Sequence, residues 1–210
     1  MITIGTVLFE GFELLDVFGP LEMFGLLENK AHLLLLAEQP GTVRSTQGPA
    51  SVIDHVLEKA PPLDVLLIPG GLGTRREVTN TPFLKKLAEI ALSSKYVATV
   101  CTGSALLAKT GLLDGKKATS NKKAFEWVKS QGAKVNWVPE ARWVEDGNYF
   151  TASGISAGID MTLGLIEKIF DRKTSLGIAE RAEYEWHADK NWDPFAKLNG
   201  LLPSESVQKP

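Results

Sequence analysis

Apolar positions along this chain fall into two alternating kinds of pattern. Continuous runs at residues 2–9, 32–37, 64–68 and 96–100 have the length of strands covered on both faces, and segments with apolar residues at helical spacing lie between them. Residues 12–27 carry a stripe of Leu14, Leu15, Phe18, Leu21, Met23 and Phe24, with Pro20 setting the first helical turn near Gly19. Residues 43–46, followed by Gln47-Gly48-Pro49, and residues 50–57 read as short edge strands. A helix over 81–93 takes Thr81 as its cap and Pro82 as its first residue. Further along, the spacing predicts a helix at 104–109, a strand at 117–120, a helix at 121–131 with Trp127 and Val128 in the core, and a strand at 133–138. A hairpin of 142–144 and 149–151 delivers the small-residue loop 152–158 into an apolar helix at 159–170, and a last helix runs from 173 to about 186. This alternation argues for an α/β fold, a doubly wound, mostly parallel sheet sandwiched by helices. Residues 1–198 make one domain, and the polar, proline-bounded tail 199–210 is expected to fray.

In such sheets ligands bind outside the carboxyl ends of the strands. Three segments of chemical interest each follow an apolar strand and therefore converge at that edge. The first holds Asp16, set among Leu14, Leu15, Val17 and Phe18, where a carboxylate needs a partner; a helix cap is the plainer reading. The second is Pro69-Gly70-Gly71-Leu72-Gly73, whose glycines let backbone N–H groups approach a ligand, although no phosphate-loop lysine follows. The third is Cys101, at the join between the strand 96–100 and the helix after it. A strand–nucleophile–helix turn relieved by Gly103 exposes a reactive side chain, and the helix N-terminus favours the thiolate. A lone cysteine in an apolar setting is otherwise an inert core residue.

Composition narrows the function. A net charge of −2 provides no basic field for nucleic acid. One cysteine excludes an internal disulfide and a cysteine metal cluster, and fits a reducing compartment. The N-terminus lacks the marks of a signal peptide, and the apolar runs are far shorter than the roughly 20 residues that span a bilayer. A cytoplasmic protein acting on a small molecule, without nucleic-acid or membrane partners, is the expectation.

The segments FEGFELLDVFGPLEMF, LLIPGGLGT, VATVCTGSALLAKTGLLDGKKATS and GNYFTASGISAGIDMTLGLIEK resemble the PfpI/ThiJ-like superfamily, of the class I glutamine amidotransferase-like, flavodoxin-like fold, and are most similar to its isonitrile hydratase branch. The resemblance implies a hydro-lyase that needs no cofactor or metal, acts as a homodimer, and turns an isonitrile into an N-substituted formamide through a thioimidate. It implies Cys101 as nucleophile, Asp16 within hydrogen-bond reach of the sulfur, and Thr102 beside them, with its hydroxyl either on Asp16 or simply packed. Gly70 and Gly71 with Thr102 would bind substrate, the N–H groups of Gly71 and Thr102 stabilising negative charge. The sensor domains of some AraC-like regulators share much of the pattern, but no helix-turn-helix follows it in this sequence. Thr102 stands where the protease-like branch has histidine, so a Cys-His peptidase is disfavoured. His32 and His55 lie in strand-like segments, and His187 in YEWHADKNWDPF is the remaining histidine that can border a pocket. Glyoxalase-like or oxidation-sensing functions usually carry glutamate in place of Asp16. They stand as alternatives, as does a non-catalytic stress protein with an oxidisable Cys101.

Overall fold

The structure is a computed structural model and describes residues 1–202. In chain order its elements are β1 (Ile2–Val7), α1 (Leu14–Gly25), β2 (Ala31–Ala37), β3 (Thr42–Arg44), β4 (Ala50–Val52), β5 (His55–Val56), β6 (Val65–Ile68), α2 (Thr74–Glu77), α3 (Thr81–Ser93), β7 (Tyr96–Val100) and α4 (Gly103–Lys109). Then follow β8 (Lys117–Ala118), α5 (Phe125–Gln131), β9 (Asn136–Trp137), β10 (Trp143–Asp146), β11 (Tyr149–Ala152), α6 (Ala157–Ile169), α7 (Arg172–Arg181) and α8 (Pro194–Leu198). The central sheet has seven strands in the order β10-β11-β7-β6-β1-β2-β5. All its pairings are parallel except that of β10 with β11, the expected hairpin. Every residue of β6 and of β11 is buried, which is why these strands carry no polar alternation. One apolar cluster, with Val7, Leu36, Leu66, Ile68 and Leu106, fills one face of the sheet. A second, with Ile4, Leu67, Val100, Met161 and Ile166, fills the other.

Several boundaries differ from expectation, each for a physical reason. Helix α1 begins at Leu14, so Asp16 lies in its first turn, and Pro20 is inside the helix. Proline removes the bond to the carbonyl four residues back, which here is that of Asp16 itself. The helix is held by packing instead, for Pro20 is buried and Gly19 lies so close to Ile159 of α6 that a Cβ would stand 2.8 Å from its side chain. Asn80, not Thr81, caps α3, its side chain accepting from the Phe83 N–H at 3.2 Å. The segment 50–57 is interrupted between β4 and β5. Residues 182–186 lie beyond α7 and are not part of it. A short helix, α8, follows in a segment to which the sequence pattern assigned no element. Residues 203–210, the rest of the expected frayed tail, lie outside the described residues.

Candidate active site

The site is built from the carboxyl ends of three adjacent strands, β1, β6 and β7. Cys101 follows β7 with φ of +56°, a left-handed conformation that is sterically costly for a residue with a Cβ. It is held there from both sides. Its N–H donates to the Ser153 carbonyl at 2.8 Å, and its carbonyl accepts from Ser104 Oγ at 3.1 Å and Ser120 Oγ at 2.8 Å. Gly103 is required by space, since a Cβ would stand 2.3 Å from the Ile68 carbonyl oxygen. The strained elbow expected from sequence is therefore present.

Asp16 reaches the elbow from the first turn of α1. The carboxylate is fully buried, and its Oδ2 accepts from the Gly70 N–H at 2.8 Å. Its Oδ1 has no hydrogen-bond partner among the described residues, and the Cys101 thiol is near enough to act on the carboxyl group electrostatically. Burial pushes the Asp16 carboxyl well above the usual carboxylate range, against the Gly70 bond, and the charge of Glu13 adds to the rise. Burial likewise pushes the Cys101 thiol well up, with the charge of Asp16 as the second cause and Thr102 pulling the other way. The expected preference for thiolate at the helix N-terminus is thus overridden. α4 has seven residues, and desolvation and a neighbouring carboxylate outweigh its dipole. Thiol and carboxyl titrate as a pair.

The glycine loop serves this pair in a way the sequence did not reveal. Gly70, expected to bind substrate, gives its N–H to Asp16, and a Cβ there would stand 2.5 Å from the Thr102 nitrogen. The Gly71 N–H donates to Thr102 Oγ1 at 3.1 Å, and Thr74 Oγ1 also donates to that oxygen at 3.1 Å. The Thr102 hydroxyl is therefore engaged by Gly71 and Thr74, in place of the implied bond to Asp16. Thr102, next in the chain, favours the Cys101 thiolate against the effect of burial.

Cys101 and Thr102 open into a cavity of about 590 Å³. Its lining includes Gly71, Leu72 and Arg75, residues of the segment 121–127, and Glu13, Ile155, Asn199 and Leu201. Trp127, expected only in the core, is half-buried and lines the cavity with the Arg75 guanidinium stacked 3.1 Å from its ring centre. The loop expected either to pack or to line a pocket does both. Gly158 lies against Val100, where a Cβ would stand 2.8 Å from its side chain, and Ile155 faces the cavity. His32, His55 and His187 are exposed, and none lines this cavity. His187 borders a separate cleft with Arg142 and Ser156. Sequence reasoning missed Glu13, Arg75, Asn199 and Leu201. Only the last two carried a local signal, the Asp193-Pro194 and Asn199-Gly200 pairs that start and stop α8. Among the described residues no group of three or more His, Cys, Asp or Glu is placed to hold a metal, and no helix is long and apolar enough to cross a membrane.

A cysteine elbow after a central parallel strand, facing a buried carboxylate from the first helix, defines a class, and comparison with known proteins agrees. The DJ-1/PfpI family model matches residues 3–168, and the chain belongs to that family. It is 34% identical to an isonitrile hydratase of Pseudomonas putida over 86% of this chain and 78% of that one. It is 30% identical to the HTH-type transcriptional regulator GbdR of Pseudomonas aeruginosa over 87% of this chain but 51% of the regulator. Among solved structures, a ThiJ/PfpI family protein from Pseudomonas syringae superposes with a TM-score of 0.81 at 31% identity, over 88% of this chain and 75% of that one.

Proposed function

We propose that the protein hydrates a small neutral isonitrile to an N-substituted formamide, with Cys101 as nucleophile and Asp16 as proton carrier. The observation that carries this reading is the buried thiol–carboxyl pair at the mouth of a cavity without histidine. Addition to an isonitrile places charge on the terminal carbon, so the reaction needs a proton delivered there. Asp16 takes the S–H proton as sulfur bonds to that carbon, then returns it to the same carbon, giving the thioimidate R–N=CH–S–Cys101. A water molecule adds to the C=N carbon while nitrogen is protonated. The C–S bond then breaks, the sulfur recovers a proton through Asp16, and R–NH–CHO leaves. The Thr102 N–H, and the Gly71 N–H once it exchanges its Thr102 partner, support the oxygen in this second half. The similarity to an isonitrile hydratase over most of both chains supports the reading.

The same reading takes the protein to be a cytoplasmic homodimer, checked by sedimentation of the purified chain. The decisive assay follows formamide production from a simple alkyl isonitrile. Cys101→Ala is expected to abolish it, and turnover surviving that substitution refutes the nucleophile assignment.

A further inference from the structure

One wall of the cysteine cavity comes from outside the family match, which ends at residue 168. Asn199 and Leu201 reach the cavity at the end of an arm that is tied down along its length. Asp160 of α6, fully buried, is ion-paired with Arg142 and accepts from the Tyr184 hydroxyl at 3.0 Å and the His187 N–H at 2.9 Å. Further along, the Arg142 N–H donates to the Lys190 carbonyl at 2.9 Å. The arm then enters α8, which is capped at both ends. Asp193 Oδ1 accepts from the Phe195 N–H at 3.0 Å, and Pro194 is the first helical residue. At the far end Gly200, with φ of +69°, donates to the Lys197 carbonyl, and the Leu201 N–H donates to the Ala196 carbonyl at 3.0 Å. These two bonds are the Schellman closure, and they turn Leu201 back onto the buried Ala196. Leu201 is thus a fixed wall, which with Leu72, Ile155, Ala124 and Trp127 gives the cysteine cavity its apolar lining.

We propose that this C-terminal hook is the specificity element of the site, and that Leu201 limits the bulk of the alkyl substituent on a small neutral substrate that can reach Cys101. The inference rests on Cys101 being the reaction centre and deepens the proposed function. Its test does not need turnover, because Cys101 is the chain's one cysteine and alkylation reads that site alone. Alkylation of the full chain by chloroacetamide and by N-cyclohexyl chloroacetamide is followed by intact mass. Leu201→Ala should raise the bulky-to-small rate ratio about tenfold, and Leu201→Trp should lower it by a similar factor, as expected where one methylene in an apolar pocket is worth about 10-fold or more. Gly200→Val, which opposes the positive φ, should shift the ratio in the direction of Leu201→Ala. Ratios within about twofold of the wild type in both Leu201 variants, each with an unchanged melting profile, overturn the proposal; Leu201→Trp alone decides it if Leu201→Ala does not fold. The same variants assayed with methyl and cyclohexyl isonitrile separate the two readings. No turnover by the wild type, together with a shifted alkylation ratio, contradicts the hydratase reading and leaves the wall standing. Turnover with unmoved ratios overturns the wall alone.

Discussion

Two fully buried aspartates, each in the first turn of one of two packed helices, do opposite work. Asp160 on α6 is satisfied by the Arg142 guanidinium, the Tyr184 hydroxyl and the His187 N–H. Among the described residues, Asp16 on α1 has one hydrogen bond, from Gly70, and no cation beside it. Burial raises the pKa of both, opposed at Asp16 by the Gly70 bond and at Asp160 by the Arg142 charge and by bonds from Arg142, His187 and Tyr184. A carboxylate that is fully partnered serves as an anchor. One left short of partners beside a thiol is a place where a proton moves, and its burial is a cost to the fold.

Substitutions should therefore split the pair. The largest effect is on turnover: Asp16→Asn should lower kcat for isonitrile hydration by about 10²–10⁴, the range for loss of a general acid–base group. Asp160→Asn should leave the Cys101 pair in place and act on folding, since it strands the buried Arg142. Urea unfolding should show a loss of about 3–5 kcal/mol, typical of a broken buried ion pair. Equal kinetic damage from both substitutions would erase the distinction. Next in size is the opposite stability effect at Asp16. Its raised pKa means that its contribution is most favourable below the unfolded value of 3.8 and is lost as pH rises through the folded value. The stability difference between Asp16→Asn and wild type should accordingly grow in favour of the variant from about pH 4 upward and then level off, read by thermal melts across pH. Asp160→Asn should not gain in this way. The smallest effect is at Gly70→Ala, where the added methyl meets the Thr102 N–H. Melting should show a loss of about 1–3 kcal/mol, the usual range for overpacking, accompanied by slower alkylation of Cys101.

The comparison also shows what the sequence could display. Cys101, Asp16 and the Gly70-Gly71 turn were legible because each follows an apolar strand at the carboxyl edge, where the topology gathers loops. Asp16's exact seat was not, because Pro20 is tolerated inside α1 only through the contact of Gly19 with Ile159, a tertiary fact. The direction of the thiol pKa was misread for a related reason: the helix N-terminus is local and visible in sequence, whereas desolvation depends on everything packed around the sulfur. The Arg75–Trp127 stack and the Asp160 anchor join segments far apart in the chain, and no spacing rule connects them. α8 was visible in its caps, but five residues are too few for apolar periodicity to declare a helix.

The central claim is that Asp16 and Cys101 share a proton. Thiolate absorbance titrated against pH, in the wild type and in Asp16→Asn, tests it directly. Removing the carboxylate should lower the pKa of the thiol, because the charge of Asp16 is what opposes thiolate after burial itself. An unchanged or higher thiol pKa in the variant would contradict the account.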